Sequence, residues 1–294
     1  MNSKNLNRLI DGALAVEAQQ AKEANALGYM ARVLVQATMP HKQIEGDVFT
    51  RKNGAFSLAM IAHPGVGLPY GTYPRLLLVW LTTEAVRTKS HVLLLGPTLG
   101  GFMGQLGLIP TGGRWGTIHP LRDRMKRLFS CSISCTYEDE SQQATAGFRI
   151  AREARLWWDP KNPEQAALWN STVTLSLDFF NEVIERPVPI DMRALQALKR
   201  SPMALDIYCW LTHRFSYLNK KTEIPWPALQ LQFGAGYPET LRGQLDFKRN
   251  FLKHLRSVLV VYPEAKVSQG AYGLLLQPSK SHIPQLPFGK HPIL

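Results

Sequence analysis

Basic side chains recur at regular intervals near the carboxyl end of the chain. Successive members lie seven, four and three positions apart, and they are Arg242, Arg249, Lys253 and Arg256. In an α-helix this spacing places all four on one side. Long cationic side chains on one side of a helix suit the phosphates that flank the major groove of DNA. The pattern therefore predicts a helix that binds nucleic acid.

The same predicted helix carries an apolar stripe and two amides. We predict that the stripe faces the core, interrupted only by a lysine; its members are Leu241, Leu245, Lys248, Leu252 and Leu255. Gln244 and Asn250 could read base edges, because amides pair with adenine, and Lys266 follows in a predicted hairpin. The alternative is a solvated basic face without a ligand. The position of the helix directly before a predicted hairpin favours DNA.

A second, shorter basic helix is predicted at residues 118–129. Arg122 and Lys126 lie four positions apart, and Arg127 adds charge beside them. The turn that follows is predicted as a wing with three carboxylates, Glu138, Asp139 and Glu140. Phosphates repel carboxylates, so we expect this wing to face a protein partner and the helix near the carboxyl end to dominate DNA binding.

Other chemistries fit the sequence less well. Residues 92–107 resemble a strand entering a glycine-rich loop, but they match neither a P-loop nor a dinucleotide fingerprint. Cys131 and Cys135 lack a second ligand pair for zinc, and they are predicted to be core thiols. Three carboxylates on one predicted helix are interpreted as a solvated face; they are Asp178, Glu182 and Glu185. No catalytic residue, metal ion or cofactor is predicted, and we do not expect an enzyme.

The elements that would position these residues follow one order twice: helix, strand, helix, helix, strand, turn, strand. The first series is predicted at residues 74–87, 91–95, 99–106, 118–129, 131–137 and 147–158. The second is predicted at residues 202–218, 222–226, 227–233, 238–257, 258–262 and 272–277. This order is typical of a winged helix-turn-helix domain.

Local sequence supports two copies of one module. Trp80-Leu81-Thr82 matches Trp210-Leu211-Thr212, and residues 125–130 match 252–257 in the same order. The predicted fold class is α+β, with tandem winged helix-turn-helix domains and an N-terminal helical arm. The predicted bounds are 1–45 for the arm, 46–185 for the first module, and 186–294 for the second module with a C-terminal tail.

Apolar residues in the predicted arm recur at helical spacing in two groups. They are Leu6, Leu9, Ile10 and Leu14, followed by Leu27, Met30, Val33 and Leu34. We predict one or two helices here that end before Pro40 and serve protein contacts.

Composition limits the class of protein. The 294 residues include 34 Lys and Arg against 22 Asp and Glu, so the net charge of +12 favours a polyanionic partner. Hydrophobic residues make up 45%, which is enough for a core. Only 3 cysteines and no membrane-spanning run occur, so a cytoplasmic location without membrane contact is expected.

Several short motifs resemble the RepA-type plasmid replication initiators of bacteria. The likeness covers residues 45–280 and is densest at 70–130. Its motifs occur in order, and they are Tyr70-Gly71-Thr72-Tyr73-Pro74-Arg75, Trp80-Leu81-Thr82-Thr83-Glu84, Phe102-Met103, Leu106-Gly107-Leu108, Thr111-Gly112-Gly113 and Arg127-Leu128-Phe129.

The resemblance implies an initiator that binds repeated double-stranded sites (iterons) in a plasmid origin and takes part in copy control. It also implies help in opening an AT-rich region and recruitment of host replication proteins such as the replicative helicase. Many initiators of this kind repress their own gene as homodimers. The second candidate is a transcription regulator with tandem winged helices, which would share the basic helices. The alternative from a different class is an enzyme that uses the glycine-rich segment.

Overall fold

A computed structural model describes residues 26–167, 170–234 and 236–283, and the fold of these residues is α+β, as predicted. The predicted helix with Leu6 and Leu14 lies outside the described residues. The described part begins with four short elements. They are β1 (Leu27–Met30), α1 (Arg32–Gln36), β2 (Val48–Asn53) and β3 (Phe56–Ile61).

A first unit follows, which combines helices with one antiparallel sheet. Its helices are α2 (Thr72–Thr88), α3 (Leu99–Gln105) and α4 (Ile118–Ser130). Its sheet contains β4 (Val92–Leu94), β7 (Ala151–Arg155) and β8 (Thr172–Leu175) in the order β4-β8-β7. Pro74 lies in the first turn of α2, where a missing N–H group costs no helical hydrogen bond.

The wing predicted for the first unit is wrong. The predicted strands at 131–137 and 147–158 correspond to β5 (Ser132–Glu138), β6 (Gln143–Arg149) and β7. Strands β5 and β6 pair with each other, but β5 also pairs with β3, which forms a separate sheet in the order β2-β3-β5-β6. The chain leaves this sheet at Ile150, whose side chain is fully buried. Alternation of apolar residues identified the strands but could not identify their partners.

The acidic turn therefore belongs to this four-stranded sheet, which we call the inserted sheet. Its tip carries the exposed residues Glu138, Asp139 and Glu140. In the first unit, the connection between its last two strands, β7 and β8, is residues 156–171.

A second unit repeats the order of the first after three connecting elements, α5 (Leu177–Glu185), β9 (Val188–Asp191) and α6 (Met192–Leu198). Its helices are α7 (Pro202–Phe215), α8 (Trp226–Phe233) and α9 (Leu241–Val261). Its strands are β10 (Thr222–Pro225), β11 (Val267–Gln269) and β12 (Gly273–Leu276), in the sheet order β10-β12-β11. In both units the first strand pairs with the third.

The strand predicted at 258–262 is helical, and this prediction is wrong. Val258 and Val261 are fully buried at helical spacing on the core side of α9, so packing extends the helix through this β-branched run. The turn of the second hairpin is correspondingly at residues 270–272.

The predicted helix across Leu27 and Leu34 is also wrong. Residues 27–30 form β1, which pairs with β9 in antiparallel register, and only the five residues of α1 are helical. The following residues enter the core, because Leu34, Val35 and Met39 are each 2% exposed. The helical spacing was coincidental, since the apolar residues from Tyr29 to Met39 are all buried. The domain boundaries remain a prediction.

A buried ion pair joins the first helices of the two units. Arg75 of α2 donates two hydrogen bonds of 2.7 Å to the carboxylate of Asp206 in α7. Its remaining donors reach the carbonyl oxygens of Met39, Pro40 and Gly71, so all of its N–H groups are satisfied. His41 Nε2 lies 2.8 Å from Asp206 Oδ2. We call Arg75, Asp206 and His41 the inter-unit cluster.

Two half-buried histidines predict a loss of stability in acid. Burial lowers the pKa of His41 to about 4, although its hydrogen bond to Asp206 opposes the shift, and burial lowers the pKa of His213 to about 4 as well. Unfolded histidine titrates near pH ~6.5. Between these pH values the unfolded chain binds more protons than the folded chain. The contribution of each histidine to the free energy of unfolding is therefore complete above pH ~6.5. It falls by about 1.4 kcal/mol for each unit that the pH drops below this value.

Urea unfolding at several pH values between 7 and 4.5 measures this loss. His213→Gln should reduce the slope of unfolding free energy against pH, whereas His63→Gln, at an exposed histidine, should leave the slope unchanged. Equal slopes in the two variants would contradict the assignment.

No helix in the described residues is long and apolar enough to cross a membrane.

Candidate nucleic-acid interface

Helix α9 is anchored to the second unit by aromatic side chains. Thr240 caps its start, where Oγ1 accepts a hydrogen bond of 3.1 Å from the amide of Gly243. The ring of Phe251 lies 6.0 Å from that of Trp226 and 5.5 Å from that of Phe233. The buried side of α9 consists of Gly243, Phe247, Phe251, Leu255, Val258 and Val261. This packing holds the opposite side of the helix in a fixed orientation towards solvent.

The buried side differs from the predicted apolar stripe. Leu241 and Leu245 are 75% and 58% exposed, so their assignment to the core is wrong. Phe247 and Phe251 occupy the core side instead, because aromatic rings bury more apolar area than leucines. The two leucines consequently lie on the exposed side with the cations.

The structure brings the four predicted cations together on this exposed side, which we call the α9 basic face. Arg242 and Arg249 are 94% and 81% exposed, and Lys253 and Arg256 are also exposed. Asp246 lies 4.0 Å from Arg242 and 2.8 Å from Arg249. Exposed pairs of this kind contribute little free energy, so the guanidinium groups can exchange Asp246 for a phosphate.

The three other predicted site residues of the second unit lie off this face. Gln244 is half-buried, and Asn250 is half-buried with Nδ2 donating a hydrogen bond of 2.8 Å to Tyr237. Lys266 is exposed, but it precedes β11 at the base of the hairpin instead of its tip. Tyr272, 80% exposed, lies in the turn itself.

The first unit presents a smaller basic surface beside α4. Arg122 and Lys126 are exposed, and they line one wall of a cleft of about 530 Å³. The opposite wall includes Arg149, whose guanidinium donates a hydrogen bond of 2.9 Å to the carbonyl of Phe129. The sequence offered no signal for Arg149, because only the pairing of β6 brings it beside the end of α4. We call this the α4 cleft.

Arg127 does not share the exposed side with Arg122 and Lys126. Its Nε donates a hydrogen bond of 2.8 Å to Asp123, and its side chain is 18% exposed. Its guanidinium carbon lies 5.6 Å from the ring centre of Tyr70. These contacts give Arg127 a role in packing α4 against the loop that precedes α2.

The described residues do not form a site for zinc or phosphate binding, the competing chemistries. Cys131 and Cys135 are free and buried, and burial raises the pKa of their thiols to about 12 and about 11. Within the described ranges no group of three His, Cys, Asp or Glu side chains could hold a metal ion. Gly100 of the glycine-rich segment packs against the carboxylate of Glu164, which would repel a phosphate.

One solved structure supports the overall fold. The fold is similar to a structure described as "SeMet derivatives of domain2 and domain 3 of RctB", with a TM-score of 0.52, 11% identity, and coverage of 85% of this chain and 98% of that chain. A second structure, "RctB domains 2-3, RctB-155-483", gives a TM-score of 0.49 at 11% identity, covering 83% of this chain and 94% of that chain. No curated protein matches the sequence.

The fold and surface define a class of α+β protein with two related helix-rich units and exposed cations on a helix of each. Within that class, residues 68–226 match the family described as "Plasmid encoded RepA protein". The match covers more than half of the chain and includes the whole first unit. The chain therefore belongs to this family of plasmid replication initiators.

Proposed function

We propose that this protein initiates plasmid replication by binding repeated double-stranded sites (iterons) at the plasmid origin. The α9 basic face carries the proposal. Four cations lie exposed on one side of a helix whose other side is fixed by aromatic packing. A helix with this arrangement fits the major groove while its cations reach the flanking phosphates.

We interpret both units as winged helices, with α4 and α9 as their recognition helices. The order of elements and the pairing of the first strand with the third, seen in both units, support this interpretation. The α4 cleft supports DNA contact by the first unit as well, because its lining includes the cations Arg122, Lys126 and Arg149 against the single carboxylate Asp123. The acidic tip lies on the inserted sheet and is not part of the wing of this unit, whose own exposed carboxylates are Asp159 and Glu164.

Further steps of initiation rest on the family alone. We propose that the protein helps to open an AT-rich region, recruits host replication proteins such as the replicative helicase, and forms homodimers that repress its own gene. The acidic tip of the inserted sheet is a candidate protein contact, since its charge opposes contact with DNA. We propose no enzymatic activity and no cofactor, and ATP hydrolysis by the pure protein would contradict this part.

Footprinting on the DNA that flanks the gene tests the proposal. Repeated protected sites, together with loss of replication of a plasmid carrying that DNA when the protein is absent, are expected for an initiator. Altered promoter output with an unchanged plasmid copy number would indicate a transcription regulator instead.

Binding to a protected site should depend strongly on salt. If the four cations of the α9 basic face and two of the α4 cleft neutralise phosphates, the slope of log affinity against log salt should be about −5, because each phosphate contributes about −0.9. Fluorescence anisotropy between 50 and 200 mM salt, about the range over which such losses are large, measures this slope. A flat response would contradict a two-helix footprint.

A further inference from the structure

Two leucines of α9 are exposed where the fold gives them no packing role. Leu241 begins the helix and Leu245 follows one turn later, and they are 75% and 58% exposed. Single exposed leucines are common on protein surfaces. These two lie on the same side of the helix and adjoin the α9 basic face. Together with that face they form a contiguous patch, which is apolar along one edge and cationic along the other.

The packing of α9 does not require leucines at positions 241 and 245. The core side is complete without the leucines, since Phe247 and Phe251 are 1% and 0% exposed. Polar residues at the two positions would satisfy the helix equally well and would avoid the exposed apolar area. The patch is therefore expected to be covered by a ligand.

The neighbouring charges identify the chemistry of that ligand. Arg242 and Arg249 flank the leucines, so the ligand combines an anionic rim with an apolar group. In the major groove the floor between the phosphates carries one apolar group, the C5 methyl of thymine. Recognition helices of this general kind contact bases through residues near their amino ends, which is where both leucines lie.

We propose that Leu241 and Leu245 recognise thymine methyl groups and so contribute to the sequence specificity of the second unit. The proposal rests on the proposed function, because it requires that α9 enters the major groove. The two leucines are separated by about 6 Å along the helix axis. This separation is close to two base-pair steps of about 3.4 Å each, so the leucines match two thymines within one short segment of DNA.

Replacement of thymine by uracil tests the proposal, because it removes the methyl group and leaves every hydrogen-bonding group in place. Duplexes are first selected from a random pool with the full-length protein. They are then resynthesised with uracil at one thymine position at a time, and dissociation constants are measured at one salt concentration. Removal of a methyl group that contacts a leucine should lower the affinity of the unaltered protein about three- to tenfold.

The variants Leu241→Ala and Leu245→Ala test whether these leucines cause the loss of affinity for uracil duplexes. Each should bind the thymine duplex less tightly by a similar factor and should no longer distinguish thymine from uracil at one position. Leu231→Ala is the matched control, because Leu231 is 47% exposed on α8 and lies outside the patch. Circular dichroism verifies that each variant is folded, which exposed leucine truncations should permit.

The outcomes separate this proposal from the proposed function. Tight, selective binding that is insensitive to uracil at every position would overturn the thymine contact and leave DNA binding intact. If both leucine variants still distinguish thymine from uracil, the thymine contact by the leucines is overturned as well, because other residues must then contact the methyl group. Failure to select any duplex would contradict the proposed function itself.

Discussion

Asp206→Asn is expected to lower the free energy of unfolding by about 3 to 5 kcal/mol, because the change leaves the buried guanidinium of Arg75 without a counter-charge. Both side chains are nearly inaccessible, with Arg75 2% and Asp206 6% exposed. Burial would raise the pKa of Asp206, but Arg75 and His41 outweigh burial and hold it below its usual value. The carboxylate is thus charged in the native protein, and asparagine removes that charge with little change in volume.

Glu84→Gln is the matched control for this prediction. Glu84 pairs with Arg87 in the same helix α2, at 2.6 Å, but the side chain of Arg87 is 67% exposed. Loss of such an exposed pair should cost less than about 1 kcal/mol. Urea unfolding of the two variants decides the question, and equal small losses would show that the inter-unit cluster is not a major source of stability.

The second large effect is expected in DNA binding. Arg249→Ala combined with Lys253→Ala removes two cations from the centre of the α9 basic face. At about 1 to 3 kcal/mol for each lost contact, affinity for a protected site should fall thirtyfold or more. Lys248→Ala is the control, since Lys248 is half-buried with its ammonium 5.1 Å from the ring centre of Trp226.

The corresponding change in the first unit, Arg122→Ala with Lys126→Ala, should weaken binding less. The sequence supported this order partly through an acidic wing, and the structure removes that reason by placing the acidic turn on the inserted sheet. The remaining reason is the number of exposed cations, four on α9 against two on α4. Measurement of both double variants on one DNA at one salt concentration tests the order, and a larger loss from the first-unit double would reverse it.

Local patterns predicted much of each unit and failed where pairing between distant segments decides the structure. Helices α2, α4 and α7 were predicted nearly to their ends, because prolines mark their first turns and apolar spacing continues through them. The hairpin of β2 and β3 was missed although Asn53-Gly54 is a local turn signal, whereas its pairing with β5 depends on residues far along the chain. The pairing of β1 with β9 was missed for the same reason.

The site shows the same division between local and distant information. The four cations of α9 were grouped correctly, because helical spacing alone determines a shared side. The assignment of Leu241 and Leu245 to the core was wrong, whereas that of Leu255 was right, since Phe247 and Phe251 on another side of the helix fill the core instead. Arg149, Arg75 and Asp206 could not be found, because each acquires its role from a partner brought close only by folding.

The inter-unit cluster also constrains the DNA that this protein can recognise. Because the cluster joins α2 to α7 through nearly inaccessible side chains, we expect it to hold the two units, and with them α4 and α9, at a fixed angle and separation. DNA turns by about 34 to 36° for each base pair, given 10 to 10.5 base pairs per turn. One inserted base pair between the two contact points would therefore rotate one groove away from its helix. If both units bind one repeat as proposed, each repeat in an origin must keep an invariant internal spacing that matches the distance between α4 and α9.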